Sequence, residues 1–316
     1  MRKRDFERLI GMLGTASPAQ LRVTENRLLE LNNANATLLL AEGRVTHGGS
    51  CPYCGRVGFR RWGRTGAGVQ RYRCPSCTKS FTAFTGTKFG RVRNKAKLLE
   101  NAACMREFLS IRKTARRLGV HPNTAFRYRH LMLPQLSRHQ PATLEGVTEA
   151  DEMFFRRSYK GQKSGLPRLA HKRGSPAKKR GLSVEQVPVF TALSRGSRES
   201  LIEVLPGPVT AAQIQSILAP VVRKDAVLCS DSASAYKTAA LSLGILVRQI
   251  PRGSHKLGPY HIQNANALHS RMKSRMRPFK GVATKYLAGY LAWARFFDRD
   301  DGHEAARAFL VDAFNG

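Results

Sequence analysis

Two cysteine pairs, CPYCG at Cys51–Gly55 and CPSCTKSF at Cys74–Phe81, constrain the fold of this chain more than any other feature. Their spacing, C-x2-C-x19-C-x2-C, brings two thiolate knuckles within reach of one ion, the pattern of a tetrahedral zinc ribbon. Cys51, Cys54, Cys74 and Cys77 are the expected ligands. A module this small has too little apolar core to stand by itself, so the Zn2+ must supply most of its stability. The remainder of a 316-residue chain has to fold separately, which makes the protein multidomain. Paired thiols of this kind fit a reducing compartment better than a disulfide framework, and lone Cys104 and Cys229 read as small buried residues.

The surroundings of the knuckles are basic. Between Gly43 and Leu99 there are thirteen Lys or Arg and no acid, interleaved with Tyr53, Phe59, Trp62, Tyr72 and Phe81. Over the whole chain 54 Lys+Arg stand against 21 Asp+Glu, a formal charge of +33 with a pI near 11.0. Solubility needs far less, and a polyanionic partner, double-stranded DNA first, is the simplest reason for it. A membrane surface is the weaker reading, because no apolar run approaches spanning length and the basic residues are not gathered in one tail. The opening MRKRDFERLIGML is interrupted by Asp5 and Glu7 and has no long apolar core, so no signal peptide is expected. The expected location is the cytoplasm, in association with the nucleoid.

Residues 1–45 read as helical, with Phe6, Leu9, Ile10 and Leu13 at helical spacing, a Ser17-Pro18 cap, and Leu21, Leu28, Leu29 and Leu31 continuing the pattern. The ribbon occupies 46–90. In 91–140, Leu98, Leu99, Ala102 and Ala103 form one helical face, and SIRKTARRLGVHPNTAFRYRHLML then gives a short helix, a turn at Gly119-Val120 and a second helix starting near His121-Pro122. This is the pattern of a helix-turn-helix, whose second helix would offer Asn123, Thr124, Arg127 and Arg129 to a DNA groove. PQLSRHQP follows as a linker. From 141 to 300 strands and helices alternate, as in a mixed α/β sheet: strands at Gly146–Arg156, Val187–Leu193, Ser200–Leu205, Ala226–Ser230 and Ile245–Ile250, helices at Thr210–Val222, Ala233–Leu243, Ile262–Arg277 and Ala283–Asp298. Phe154–Val184, with ten Lys or Arg, no acid and repeated Gly and Pro, reads as a basic loop or arm suited to phosphates. A last helix, Glu304–Phe314, falls in 301–316.

The chemistry would sit where AVLCSDSASAY ends a strand in Asp231. The order of elements allows the first strand to lie beside the fourth, bringing Asp151 of TEADEMFF next to Asp231. Two carboxylates at that distance repel unless divalent cations neutralise them, and hard oxygen donors suit a pair of Mg2+ or Mn2+ ions. From Ser232 to Phe297 there is no acid, so the helix HIQNANALHSRMKSRM must provide a neutral oxygen, and Asn266 is the choice. Lys273 lies seven residues on, along the same helix face, where it can hold a phosphate. Glu149 and Glu152 are expected on the strand face opposite Asp151, in solvent or in salt bridges. His261 and His269 read as structural or DNA-touching residues, and Tyr286, Tyr290 and Trp293 as core.

EADEMFF, CSDSASAY and HIQNANALHSRMKSRMRPFKGVATKYLAGYLAW resemble the catalytic blocks of bacterial insertion-sequence transposases of the fifteen-ninety-five type, whose domains are ISXO-like. Those proteins also carry an N-terminal zinc ribbon. The resemblance implies an RNase H-like catalytic domain and DDE-type cutting and joining, with an Asn often in place of the third acid and a Lys seven residues later. On this sequence those roles map to Asp151, Asp231, Asn266 and Lys273. It also implies terminal inverted repeats and target DNA as partners, and a homodimer or larger assembly on DNA. Asn266 in place of an acid keeps open a second reading, a DNA-binding regulator without catalysis. A structure-specific nuclease sharing the fold is a third.

Overall fold

The computed structural model describes residues 2–46, 49–136, 141, 143–162, 164–166, 183–299, 302 and 304–315. Most of the expected basic arm (163 and 167–182) and half of the linker (137–140) lie outside the described residues. The chain divides into two compact units, residues 1–131 together with 306–316, and residues 132–305.

In the first unit, α1 (Lys3–Gly14) leads to α2 (Pro18–Thr46). The Ser17 N–H donates to Gln20 Oε1 at 2.8 Å and the Gln20 N–H to Ser17 Oγ at 3.3 Å, a reciprocal cap with Pro18 behind it. The ribbon strands β1 (Arg60–Arg64), β2 (Gln70–Arg73) and β3 (Ser80–Thr82) form an antiparallel sheet in sequence order. Phe59, Tyr72 and Phe81 pack ring against ring at 5.3–5.7 Å and fill the space beneath it. Tyr53 and Trp62 are exposed instead, with Arg60 and Arg73 over the Trp62 ring and Lys79 over Tyr53.

Three helices follow: α3 (Lys97–Arg106), α4 (Ile111–Leu118) and α5 (Pro122–Leu136). Ser110 caps α4 by accepting from the Lys113 N–H. Gly119 ends it in the left-handed conformation, φ 59°, with the Val120 N–H donating to the Ala115 carbonyl at 3.0 Å. Arg129, expected to face a groove, is fully buried: Nη2 donates to the Leu109 carbonyl at 2.5 Å and to Thr114 Oγ1 at 3.3 Å. Helical spacing explains the correction, since Ala125, Tyr128, Arg129 and Met132 share the inner face of α5 and all are buried. Arg129→Ala is therefore expected to lower stability by about 2–4 kcal/mol, read by urea unfolding, because it removes a buried charge that holds two backbone segments together.

The second unit carries a five-stranded sheet. β4 (Val147–Arg156), β5 (Gln186–Ser194) and β6 (Ser200–Val204) run antiparallel; then come α6 (Ala211–Leu218), β7 (Val227–Ser230), α7 (Ser234–Leu243), β8 (Leu246–Gln249), α8 (Gln263–Met276) and α9 (Leu287–Arg299). The strand order is β6-β5-β4-β7-β8, with β7 parallel to both β4 and β8. α6 ends at Leu218, short of the expected Val222: Ala219 is still helical, but Pro220 has no N–H to continue the ladder, and Val222 instead bridges Leu144. β5 is buried along nearly its whole length, as a strand covered on both faces must be. On one face Ala150, Phe190, Leu228, Tyr236 and Ala240 form a core with Ile214 and Leu218. On the other, α8 packs on β4 and β5 and α9 on β6. Tyr290 and Trp293 are buried there against Phe279, as expected, while Tyr286 is half-exposed.

The last helix, α10 (Ala305–Asn315), belongs with the first unit: Phe314 meets Phe84 and Phe89 edge-on at 5.6 and 5.1 Å. Among the described residues no helix is long and apolar enough to cross a membrane.

Candidate active site

Strand alternation decides what β4 presents. Ala150 and Glu152 point into the core shared with α6 and α7, so Glu149 and Asp151 point toward α8. β4 and β7 pair in parallel with Glu149 opposite Cys229, and continuing that register by two residues sets Asp151 beside Asp231, one residue past the end of β7. Asp231 Oδ1 accepts from the Ala233 N–H at 3.0 Å, and its carbonyl accepts from Gln249 Nε2 at 3.1 Å. Asp151 Oδ1 accepts from the Glu152 N–H at 2.8 Å. Burial raises the Asp151 pKa to about 6; the charges of Glu152 and Asp231 add to the rise, and the Glu152 N–H and Lys273 oppose it.

Glu149 is fully buried and ties down the start of α8. Its Oε2 accepts the N–H groups of Asn264 and Ala265 at 2.8 and 3.1 Å, while Oε1 meets Asn264 Nδ2 at 2.7 Å, Arg195 Nη2 at 2.9 Å and His261 Nδ1 at 3.3 Å. A carboxylate at this end of a helix satisfies otherwise unpaired N–H groups and complements the helix dipole. Glu149 thus lies on the same strand face as Asp151, two residues away, which corrects the expectation that it points opposite. Glu152 does point opposite, but into the core, where it accepts from the Tyr236 hydroxyl at 2.6 Å and burial raises its pKa. Glu149→Gln loses the charge facing Arg195 and His261 and is expected to lower stability by about 2–4 kcal/mol, measured by denaturant unfolding of the 132–305 unit.

Pinned in this way, α8 brings the expected residues together along one face. Asn266 lines a cleft of about 280 Å3 together with Asp231, Ser232, Arg252 and His255. One turn on, His269 is buried, with Nε2 2.7 Å from Thr191 Oγ1 and Nδ1 3.8 Å from Asp151 Oδ2. Burial, assisted by Lys273, lowers its pKa to about 4, so the ring is neutral. Lys273, a further turn along, is exposed and close enough for its charge to act on both Asp151 and His269. His269 and Glu149 are the site residues that the sequence reading did not single out. Their signals were there, since His269 follows Asn266 by three helix positions and Glu149 precedes Asp151 by two strand positions.

The four ribbon thiols converge as their spacing requires. The sulfur atoms of Cys51, Cys54, Cys74 and Cys77 all lie within 4.8 Å of one another, with Cys51–Cys77 at 3.6 Å and Cys54–Cys74 at 3.7 Å. Four thiolates about 2.3 Å from a tetrahedral Zn2+ stand about 3.8 Å apart, so this cluster could hold zinc. Gly55 and Thr78, each directly after a cysteine pair, take left-handed backbone conformations that close the knuckles. The N–H groups of Cys77 and Ser76 lower the Cys74 thiol to about 6, toward the thiolate that a metal binds. At the start of α5, Asn123 and Arg127 are exposed and Thr124 is half-buried.

Residues 143–297 match the ISXO2-like transposase domain family. That stretch belongs to it. Within the transposase domain the three antiparallel strands, followed by two parallel ones added beyond β4, are the mixed sheet of the RNase H-like arrangement. Solved structures resemble the chain distantly. The HTLV-2 integrase catalytic core domain in complex with magnesium is 7% identical with a TM-score of 0.28, over 49% of this chain and 86% of that one. A pre-cleavage Mos1 transpososome is 14% identical at 0.24 (68% and 78%), and the Mos1 strand transfer complex 13% identical at 0.29 (69% and 78%). No curated protein matches the chain.

Proposed function

We propose that this chain is a DNA transposase that binds the terminal inverted repeats of an insertion sequence, cuts the DNA at the element's end, and joins the freed end to target DNA. The observation that carries the reading is the register that sets Asp151 of β4 beside Asp231, one residue past the end of parallel β7, with Asn266 and Lys273 offered from α8 on the same side. Two carboxylates and an amide oxygen are the hard donors that suit Mg2+ or Mn2+. When bound, such ions activate the attacking oxygen and stabilise the leaving one in an in-line phosphoryl displacement. Asp151 and Asp231 would hold the ions, Asn266 would add a neutral oxygen, and Lys273 would pair with a nonbridging phosphate oxygen. The exposed arginines and aromatics of the ribbon, and Asn123, Thr124 and Arg127 of a helix-turn-helix formed by α4 and α5, would grip the duplex. Acting on two element ends calls for a homodimer or larger assembly, working on the nucleoid in the cytoplasm.

The deciding experiment is incubation of end-bearing duplex with the protein and Mg2+ or Mn2+. Nicked and joined products are expected from the wild type, and full activity in Asp231→Ala would remove the assignment. Asn266 in place of an acid favours one rival, a regulator that binds DNA without cutting it; salt-sensitive binding with no metal-dependent nicking would decide for the rival. Arg127→Ala is expected to weaken DNA binding at every salt concentration and to reduce the slope of log affinity against log salt by about 1, with unfolding stability unchanged. Fluorescence anisotropy across a salt series measures this.

A further inference from the structure

Thr191 faces Asp151 across the β4–β5 pair. Its hydroxyl proton goes to the Asp151 carbonyl oxygen, 2.8 Å away. The 2.7 Å contact between Thr191 Oγ1 and His269 Nε2 must then take its proton from the ring. A neutral imidazole, the ordinary form above pH 7, has one N–H, so Nδ1 presents a bare lone pair. That lone pair faces Asp151 Oδ2 at 3.8 Å, with the histidine side chain 8% and the aspartate side chain 20% exposed. Two acceptors aimed at each other in a shielded place repel unless a cation or a proton lies between them. On an ion with bonds of about 2.1 Å, ligand atoms stand about 3.0 Å apart when adjacent and about 4.2 Å apart when opposite. The observed 3.8 Å is wider than the adjacent spacing, so the two atoms would draw together by about 0.8 Å to take neighbouring positions on one ion.

We propose that His269 Nδ1 is a ligand of the divalent ion held by Asp151, so that the site is built from two carboxylates, one amide oxygen and one imidazole nitrogen. This rests on the metal-dependent reading above and deepens it. Thr191 fixes the ring's tautomer and orientation, the part a hydrogen-bond partner plays behind a ligating histidine. The nitrogen provides a strong neutral donor where Asn266 is a weak one. It also tilts selectivity toward Mn2+ and away from Mg2+, which prefers oxygen.

The test is pulsed EPR of Mn2+ bound to the zinc-replete full chain, with affinity measured from the free Mn2+ signal. The wild type is expected to show 14N modulation that changes to a 15N pattern when its histidines are 15N-labelled. His269→Gln, which can still bond Thr191, is expected to lose the modulation and to bind Mn2+ about tenfold more weakly. Mg2+, measured by competition, should weaken less. His255→Ala tests the other histidine near Asp231, and loss of the signal there instead would overturn the assignment. The labelled wild type decides even if His269→Gln fails to fold. Mn2+ binding that needs Asp151 and Asp231 but shows no nitrogen coupling leaves the metal site standing and sinks the role of His269. Mn2+ binding indifferent to both aspartates sinks the metal site itself.

Discussion

Asp151→Asn is expected to reduce metal-dependent strand cleavage by about a thousandfold or more and, at the same time, to make the metal-free 132–305 unit more stable above pH 6. The activity loss follows from removing a carboxylate that would hold the ions, whose charge stabilisation is worth several kcal/mol in the transition state. The stability gain follows from burial. Folding raises the Asp151 pKa from 3.8 to about 6, so the stability this carboxyl contributes is complete below its unfolded value and is lost as pH climbs through its folded one. At pH 8 the buried, ionised group therefore costs about 1–3 kcal/mol, which the amide does not. Asn keeps the Oδ1 acceptor used by the Glu152 N–H, so little else changes. Urea unfolding followed through buried Trp293 in a Trp62→Phe background reads the difference. The variant should lead at pH 8, the two proteins should converge near pH 4, and Mn2+ should close the gap at pH 8 by stabilising the wild type alone. Parallel stability curves at every pH would refute the account of Asp151.

Cys74→Ser is expected to remove one bound zinc per chain and unfold the ribbon while leaving the transposase domain folded. The ribbon sheet has three short strands and a small aromatic centre in Phe59, Tyr72 and Phe81, whereas zinc binding in such modules contributes about 10–16 kcal/mol. Replacing a buried ligand leaves three thiols and too little apolar surface to hold the strands. Metal analysis should find zinc lost, amide exchange should speed up across residues 60–82, and Trp293 should still report a cooperative transition. DNA affinity should fall with the ribbon's structure, and a strong chelator should reproduce the whole pattern in the wild type. Retained exchange protection in zinc-free protein would show that the sheet holds itself together.

Local chemistry made much of this molecule legible. Cysteine spacing located the four-thiol cluster, alternation of strand and helix patterns located the sheet, and the strand leading into Asp231 led to Asp151 on the neighbouring strand. What escaped were charged and polar groups whose partners are remote in sequence. Arg129 and Glu149 look like surface residues in a basic chain, yet each is buried because it bonds backbone groups that composition cannot reveal: Leu109 in one case, the first turn of α8 in the other. His269 gained its place from Thr191, 78 residues earlier. The end of α6 was missed for a smaller reason, the weight of Pro220 against an apolar pattern that runs on to Val222.

The packing of Phe314 on Phe84 and Phe89 bears on how the polypeptide is made and how it fails. α10 supplies aromatic cover for a unit whose other residues all lie before residue 132. Residues 132–305 are therefore synthesised before the unit that carries the cysteine cluster can be completed. Removing α10 would strip that cover from Phe84 and Phe89 while leaving Asp151, Asp231, Asn266 and Lys273 all in the chain.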